Sequence, residues 1–136
     1  MHDKLHIEIQ SFSYKKGGIP TDHTENGGGF VFDCRGILNP GRIERYKEQT
    51  GRDTEVAHYL EENTLMPQFL QHITALLSIT IDNYIARDFK SLKVNFGCTG
   101  GQHRSVYCAD YTAKFIEQKY PMVAVTVRHN EQPQLI

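Results

Sequence analysis

The chain has 136 residues, 39% hydrophobic and 23% charged, the balance of one ordinary globular domain that buries a core without disulfides. Its formal net charge of -1 at pH 7 excludes a protein that holds nucleic acid by bulk charge, so such contact would need a local basic patch. No apolar run approaches the roughly 18 residues of a membrane span, and no signal-peptide segment follows Met1. We therefore predict a single domain over 1–136 that is cytoplasmic and has no membrane partner.

The first predicted elements are two strands joined by a loop. Leu5, Ile7 and Ile9 alternate with polar residues, which predicts a half-buried strand that continues to Tyr14. The glycine-rich segment over 15–29 is typical of a flexible loop. A second, apolar strand is predicted over 30–34, with a turn at 39–41.

Helices are predicted in the middle of the chain. A short helix is expected over 42–49, and another begins at Asp53 or Thr54 and runs to residue 62. A long helix is predicted over 65–86, where Pro67 falls in the first turn and the missing N–H costs least. Its apolar residues recur with the helical period, so they predict a core-facing stripe.

The last third predicts a strand over 93–96, a helix over 105–118 and a strand over 122–127. A strand, helix, strand succession favours parallel pairing through a right-handed crossover. The predicted fold class is therefore α/β, with a small, mostly parallel or mixed sheet flanked by helices and a phosphate-type loop after a central strand. Ligands of open α/β sheets collect beyond the carboxyl ends of the strands, where this loop lies.

The segment over 96–106, with the sequence FGCTGGQHRSV, is the strongest functional signal in the chain. Its glycines leave backbone N–H groups bare, so an anion can approach them, and the positive end of the helix dipole adds attraction. An arginine supplies a planar fork for phosphate oxygens. We predict a phosphate pocket whose candidate ligand groups are Cys98, Thr99, Gly100, Gly101, Gln102, His103, Arg104 and Ser105.

Two charged residues at the end of the second strand extend this prediction. Asp33 and Arg35 would reach the same sheet edge if the second and third strands are parallel neighbours. A carboxylate there can accept from sugar hydroxyls or pair with an ammonium group. Arg35 fits two interpretations equally, as a ligand group or as the ion-pair partner of an acidic neighbour.

The three cysteines, Cys34, Cys98 and Cys108, are odd in number and lack CxxC spacing. They predict reduced thiols rather than a disulfide framework or a zinc site, and we expect neither a metal nor a cofactor. Cys34 and Cys108 lie in apolar surroundings and are interpreted as packing residues. Cys98 differs because it lies at the loop.

Three interpretations of the loop remain open. It can be a structural turn that contacts no ligand, or a binding loop without chemistry. It can also be a phosphatase loop, because Cys98 and Arg104 with five residues between them have the spacing of cysteine-dependent phosphatases. That chemistry needs a leaving-group acid, for which no local motif selects among the candidates Asp33, Asp82 and Asp88. Gly97 stands where that signature usually has histidine.

Ordered motifs along nearly the whole chain resemble a known family. They are SFSYK at 11–15, GIP at 18–20, FVFDCR at 30–35, LNP at 38–40, TGRD at 50–53, the loop at 97–106 and RH at 128–129. Together they resemble the C-terminal domain of RapZ, the RNase adapter protein, and its nucleotide-binding relatives of the YvcJ type. Several motifs in the same order are far more specific than one loop.

The resemblance implies a regulatory domain that binds small RNA and senses an amino-sugar phosphate such as glucosamine-6-phosphate. In that family the full protein begins with a P-loop ATPase domain, assembles into homo-oligomers through its C-terminal domains and presents small RNA to an endoribonuclease. This chain has no GxxxxGK[ST] segment, so ATP binding is not transferred to it. Carried over by position, the sugar-phosphate site would be lined by Asp33, Thr99, Gly100, Gly101, His103 and Arg104.

Two departures bear on this transfer. Family members often carry a histidine just after the Asn-Pro turn, where this chain has Gly41. Their RNA-contacting tail is basic, whereas residues 130–136 contain no lysine or arginine, which weakens the RNA assignment because such contacts supply most nonspecific affinity. The leading hypothesis is an α/β domain that binds a phosphorylated small molecule, either a sugar phosphate or a nucleotide, with RNA as a second partner and no required catalysis.

Overall fold

A four-stranded parallel sheet with strand order β2-β3-β1-β4 forms the centre of the computed structural model, which describes residues 4–24 and 26–135. The strands are β1 His6–Ser13, β2 Gly29–Asp33, β3 Ser91–Cys98 and β4 Ala124–His129. The helices are α1 Thr54–Asn63, α2 Met66–Ala86 and α3 Arg104–Lys119. The predicted α/β class is confirmed, and every strand pairing is parallel. Residues 1–3 and 136 of the predicted domain, and residue 25 of the predicted 15–29 loop, lie outside the described residues.

The predicted helix over 42–49 is wrong. This region contains short 3-10 turns at Pro40–Arg42 and Glu44–Tyr46. Gln102 Nε2 donates to the carbonyls of Lys47 and Gln49 at 2.7 and 2.8 Å. Ile43, between the two turns, is extended with φ of -98° and ψ of 121°, so the segment does not form one continuous helix.

The ends of two strands also differ from the sequence prediction. The third strand extends to Cys98, so this residue ends a strand instead of lying in the loop. The last strand begins at Ala124 and includes His129, two residues later at each end than predicted. The predicted helices other than the one over 42–49 are confirmed to within one residue at each end.

One face of the sheet carries the core. Ile7 and Ile9 of β1 lie opposite Leu92 and Val94 of β3, and all are at most 1% exposed. The helices supply the other side of this layer, chiefly through Leu60, Leu70, Leu77, Ile81 and Ile116. The periodic apolar residues of α2 therefore face the core, as predicted. Among the described residues, no helix has both the length and the apolar character needed to cross a membrane.

The β1–β2 connection contains no helix among its described residues. It begins at the carboxyl end of β1 and reaches the amino end of β3, where Asn26 Oδ1 accepts from the amides of Lys90 and Ser91 at 2.9 and 3.3 Å. Across the sheet, the connection from β1 to β2 runs in the opposite direction to the connections from β2 to β3 and from β3 to β4. If all three connections are right-handed, the β1–β2 loop must cross the face of the sheet that the helices do not cover. The carboxyl ends of the strands are left to the loops that follow them.

A buried polar row joins β1, β4 and α3. His129 Nδ1 lies 2.6 Å from Ser11 Oγ, and its Nε2 lies 2.9 Å from Asp110 Oδ1. Arg52 Nε donates to the same carboxylate at 3.0 Å. Burial opposes ionisation of Asp110, but the hydrogen bonds from His129 and Arg52 more than offset it and lower its pKa. Ser11 is fully buried, so this row does not expose a serine nucleophile. Through Arg52, it holds the segment before α1 against α3.

Parallel pairing brings the predicted site segments to one edge. Asp33 lies opposite Gly97, and Ser13 lies opposite Cys98. A Cβ at Gly97 would lie 2.6 Å from Tyr14 Cε2 and closer still to the Phe12 ring. This position therefore requires glycine for packing, which explains the absence of a histidine side chain before Cys98.

We expect Gly97→Ala to destabilise the domain by about 1–3 kcal/mol, because the added methyl overpacks the aromatic pair. Thermal or urea unfolding measures the change. The matched control is Gly36→Ala, where a Cβ meets no atom within 4 Å and stability should change little. Equal stability of the two variants would contradict the packing role of Gly97.

Candidate anion-binding site

The loop between β3 and α3 has a fixed backbone. Gly101 has a φ of 66°, and a Cβ there would lie 2.8 Å from Glu131 Cγ, so this position also requires glycine. Ser13 Oγ donates to the Thr99 carbonyl at 2.6 Å. The loop is therefore tied to β1 on one side while α3 begins on the other.

The start of α3 offers backbone donors that the helix itself does not use. The first N–H groups of a helix have no intrahelical acceptor, and the His103 side chain makes no capping hydrogen bond to them. Thr99 is exposed, and a Cβ at Gly100 would meet no atom within 4 Å. Solvent and a small anion can therefore approach this part of the loop, where the helix dipole favours negative charge.

Arg104 is the central cation of the site and is only 5% exposed. Its Nη1 donates to the carbonyls of Arg35 and Ile37 at 3.2 and 2.8 Å. Its buried Nε has no hydrogen-bond partner among the described residues. Since a guanidinium donates from all three nitrogens, the Nε side retains unused hydrogen-bonding capacity, as a bidentate contact with a phosphate requires.

Two cavities meet at Asn39, Thr99 and Arg104. The first, of about 410 Å³, extends past Ile37 and Leu38 to Arg35 and Arg42; we call it the arginine cavity. The second, of about 380 Å³, extends along the loop past Gly100 to Gly41 and Lys47; we call it the loop cavity. Sequence reasoning missed Asn39, Arg42 and Lys47 as lining residues. The Asn-Pro turn was the one available signal, because Asn39 Oδ1 caps Gly41 N at 2.8 Å.

The side chains of Gln102 and His103 have structural partners. Gln102 holds the carbonyls of Lys47 and Gln49, as described above. His103 Nε2 lies 2.8 Å from the Tyr46 carbonyl, and because a carbonyl only accepts, Nε2 carries the hydrogen. Both residues border the loop cavity, but these bonds clamp the neighbouring segment, and direct ligand contact by these side chains stays a prediction.

Asp33 and Arg35 form an ion pair with each other. Arg35 Nη2 lies 2.7 Å from Asp33 Oδ2 and Arg35 Nε lies 2.9 Å from Oδ1, while the guanidinium lies 4.1 Å from the centre of the Tyr14 ring. The hydrogen bonds from Arg35 hold the pKa of Asp33 below its ordinary value. Of the two interpretations of Arg35, the structure shows the ion pair. Arg35 borders the arginine cavity, and the contribution of Asp33 to a ligand stays a prediction.

Cys98 and Ser105 face each other in the protein interior, and Cys98 also borders the loop cavity. Cys98 Sγ donates to Ser105 Oγ at 3.1 Å, and the two residues are 2% and 0% exposed. Of the candidate acids, Asp33 is held by Arg35. Asp82 lies in α2 and accepts from the Tyr120 hydroxyl at 2.7 Å, and Asp88 lies between α2 and the amino end of β3, away from the loop that follows β3. The structure therefore does not bring an available acid to Cys98.

Comparisons with known proteins agree with these motifs. The model of the family described as the RapZ C-terminal domain matches residues 5–133. A nucleotide-binding protein of Methylococcus capsulatus is 38% identical over 127 residues, covering 93% of this chain and 40% of the relative. One from Ruminiclostridium cellulolyticum is 37% identical over 125 residues, with coverage of 92% and 40%. The chain thus spans about 40% of the length of these relatives.

His103 should make stability depend on pH. Burial lowers its pKa from the ordinary 6.5, against an opposing hydrogen bond to the Tyr46 carbonyl. The folded state thus binds a proton less readily than the unfolded state, and stability falls as the pH drops through about 6.5. We expect His103→Gln, which can still donate to Tyr46 but does not titrate, to lose less stability than the wild type between about pH 7 and pH 5. Urea unfolding at both pH values measures this difference, and parallel losses would contradict it.

Proposed function

This chain belongs to the RapZ C-terminal domain family, and we propose that it is a regulatory domain that holds the phosphate of a small metabolite at the loop from Cys98 to Arg104. The metabolite is a sugar phosphate or a nucleotide. One observation carries the proposal: a buried arginine with an unpartnered Nε borders two open cavities beside the bare amides of a helix N-terminus.

The energetics favour an anionic ligand. A buried donor without a partner costs about 1–3 kcal/mol, and a phosphate oxygen at Nε would remove this cost for Arg104. The amides before α3 add donors that need no side-chain ordering. The hydroxyl of Thr99 lies at the junction of both cavities and supplies a further donor.

The names of the relatives support a phosphorylated ligand in general terms. Both relatives reported above are called nucleotide-binding proteins. This name describes whole proteins, of which the chain matches about 40%. We therefore place nucleotides and sugar phosphates in one ligand class, joined by the phosphate that the loop would bind.

Binding fits the site better than turnover. A phosphatase needs a thiolate that can reach phosphorus and an acid that protonates the leaving group. The Cys98 thiol is buried against Ser105, and the carboxylate of Asp33 is committed to Arg35. Phosphatase activity through Cys98 and Arg104 remains the enzymatic alternative.

Other partners rest on the family resemblance. Small RNA, an endoribonuclease, self-assembly and a cytoplasmic location stay expectations. Asp33 is paired with Arg35, so it can accept from the ammonium group of glucosamine-6-phosphate only by accepting from both groups at once or by giving up that ion pair. A preference for this amino sugar over glucose 6-phosphate would therefore indicate that Asp33 is shared with the ligand or released from Arg35.

Arg104→Lys should weaken binding of a sugar 6-phosphate by about tenfold or more, since it keeps the charge but loses the planar fork. Isothermal titration calorimetry measures the affinity. Thr99→Val, an exposed change of similar shape, should weaken binding by a few-fold and tests the site without disturbing the core. Arg87→Lys, at the opposite edge of the sheet, is the matched control.

Unchanged affinity in both Arg104→Lys and Thr99→Val would exclude this pocket. The same preparations are incubated with an aryl phosphate between about pH 5 and pH 8, where an activated thiol would work. We expect no turnover. Turnover that disappears in Cys98→Ser would instead establish the phosphatase alternative.

A further inference from the structure

We propose that the physiological ligand is an organic diphosphate, such as a nucleoside diphosphate, whose two phosphoryl groups occupy the loop cavity and the arginine cavity on either side of Arg104. This inference rests on the proposed function and specifies its ligand. It follows from the two-part shape of the site and from the distribution of its cations.

The two cavities are neighbours that share part of their lining. Asn39, Thr99 and Arg104 line both of them. Asn39 uses its Oδ1 to cap the turn at Gly41, which leaves its amide N–H groups for a ligand. A group bridging the cavities would therefore lie against three donor side chains, as the bridging region of a diphosphate requires.

Positive charge is present on both sides of this junction. Arg42 borders the arginine cavity, is exposed, and forms no ion pair among the described residues. Lys47 borders the loop cavity, and among the described residues it pairs only with the nearby Glu44, at 2.8 Å between exposed side chains, a weak type of contact. No carboxylate among the described residues lines either cavity.

The positive charge that borders the two cavities exceeds the negative charge of one phosphate group. A phosphate monoester carries a charge of about -1.5 to -2 near neutral pH. Arg104, the helix end and Lys47 can balance that charge within the loop cavity. Arg42 then remains as a cation without a protein ion-pair partner among the described residues at the border of the arginine cavity, where it can donate to a second phosphoryl group.

The arginine cavity also provides space for an organic group. Ile37 and Leu38 border it and also border a third cavity of about 520 Å³ that reaches Leu65. Leu38 and Leu65 are 62% and 70% exposed. Apolar walls beside a few polar groups are the usual lining of sites for small organic ligands. The organic part of the diphosphate would therefore extend from the arginine cavity toward these leucines.

The test uses inorganic phosphate and inorganic pyrophosphate as minimal probes, followed by a nucleoside monophosphate and its diphosphate. Calorimetric titration should show pyrophosphate binding to the wild type about tenfold or more tighter than phosphate, since added charge-assisted hydrogen bonds contribute on this scale. Arg42→Gln should remove most of this preference while leaving phosphate affinity within about twofold. The matched control, Arg45→Gln, removes an exposed arginine that borders neither cavity and should preserve the preference.

The outcomes separate this inference from the proposed function. Equal affinities for phosphate and pyrophosphate in the wild type would overturn the diphosphate assignment while leaving a single-phosphate site in place. Equal weakening of both probes by Arg42→Gln would overturn the assignment of a second phosphoryl group to the arginine cavity. Absence of binding by all four probes would overturn the diphosphate assignment, and absence of sugar 6-phosphate binding as well would overturn the proposed function. A nucleoside diphosphate that binds more tightly than pyrophosphate would support the position of the organic group beside Leu38 and Leu65.

Discussion

The Arg104 guanidinium joins the two segments on which the site depends. Its Nη1 binds the carbonyls of Arg35 and Ile37, which follow β2, while its backbone begins α3, which follows β3. The parallel pairing of β2 and β3 brings these segments to one edge, and the arginine holds them together there. The same residue borders two cavities and has an Nε without a hydrogen-bond partner among the described residues, so the group that holds this edge together is also the main candidate to bind an anion.

A second set of contacts shapes the wall facing the loop. Gln102 and His103 bind carbonyls of the segment over 46–49, and the Gly51 amide donates to the Gln102 carbonyl at 2.9 Å. Gly51 lies so close to the His103 carbonyl that a side chain there would collide with it. Gln102 and His103 therefore hold the segment over 46–49 in place. Thr99 and Arg104 instead border the two cavities.

The sequence was sufficient to predict most of the fold, because the strands and long helices have apolar periods that local physics can interpret. The position of Asp33 at the same sheet edge as the loop was predicted on the condition that the second and third strands are parallel neighbours, and the pairing of β2 with β3 meets this condition. The helix over 42–49 was mispredicted because Ile43 is extended and divides the segment into two short turns, which the residue pattern does not indicate. Lys47 gave no local signal as a site residue because its segment is brought to the loop by Gln102, more than fifty positions away, whereas the glycines and Arg104 lie in the loop itself. The mutual pairing of Asp33 and Arg35 depends on rotamers and could be stated only as one of two interpretations.

The position of β1 has a consequence for how the domain forms during synthesis. This strand is made near the beginning of the described chain, yet it pairs with β3 and β4, and His6 aligns with Ser91 and Ala124. Neither neighbour exists until the ribosome has produced most of the remaining residues, so the first strand leaves the exit tunnel with no partner for its backbone amides. Contacts of such wide sequence separation form slowly. Nascent β1 therefore leaves Ile7, Ile9 and Phe12 uncovered until β3 has been made, which favours aggregation at this stage.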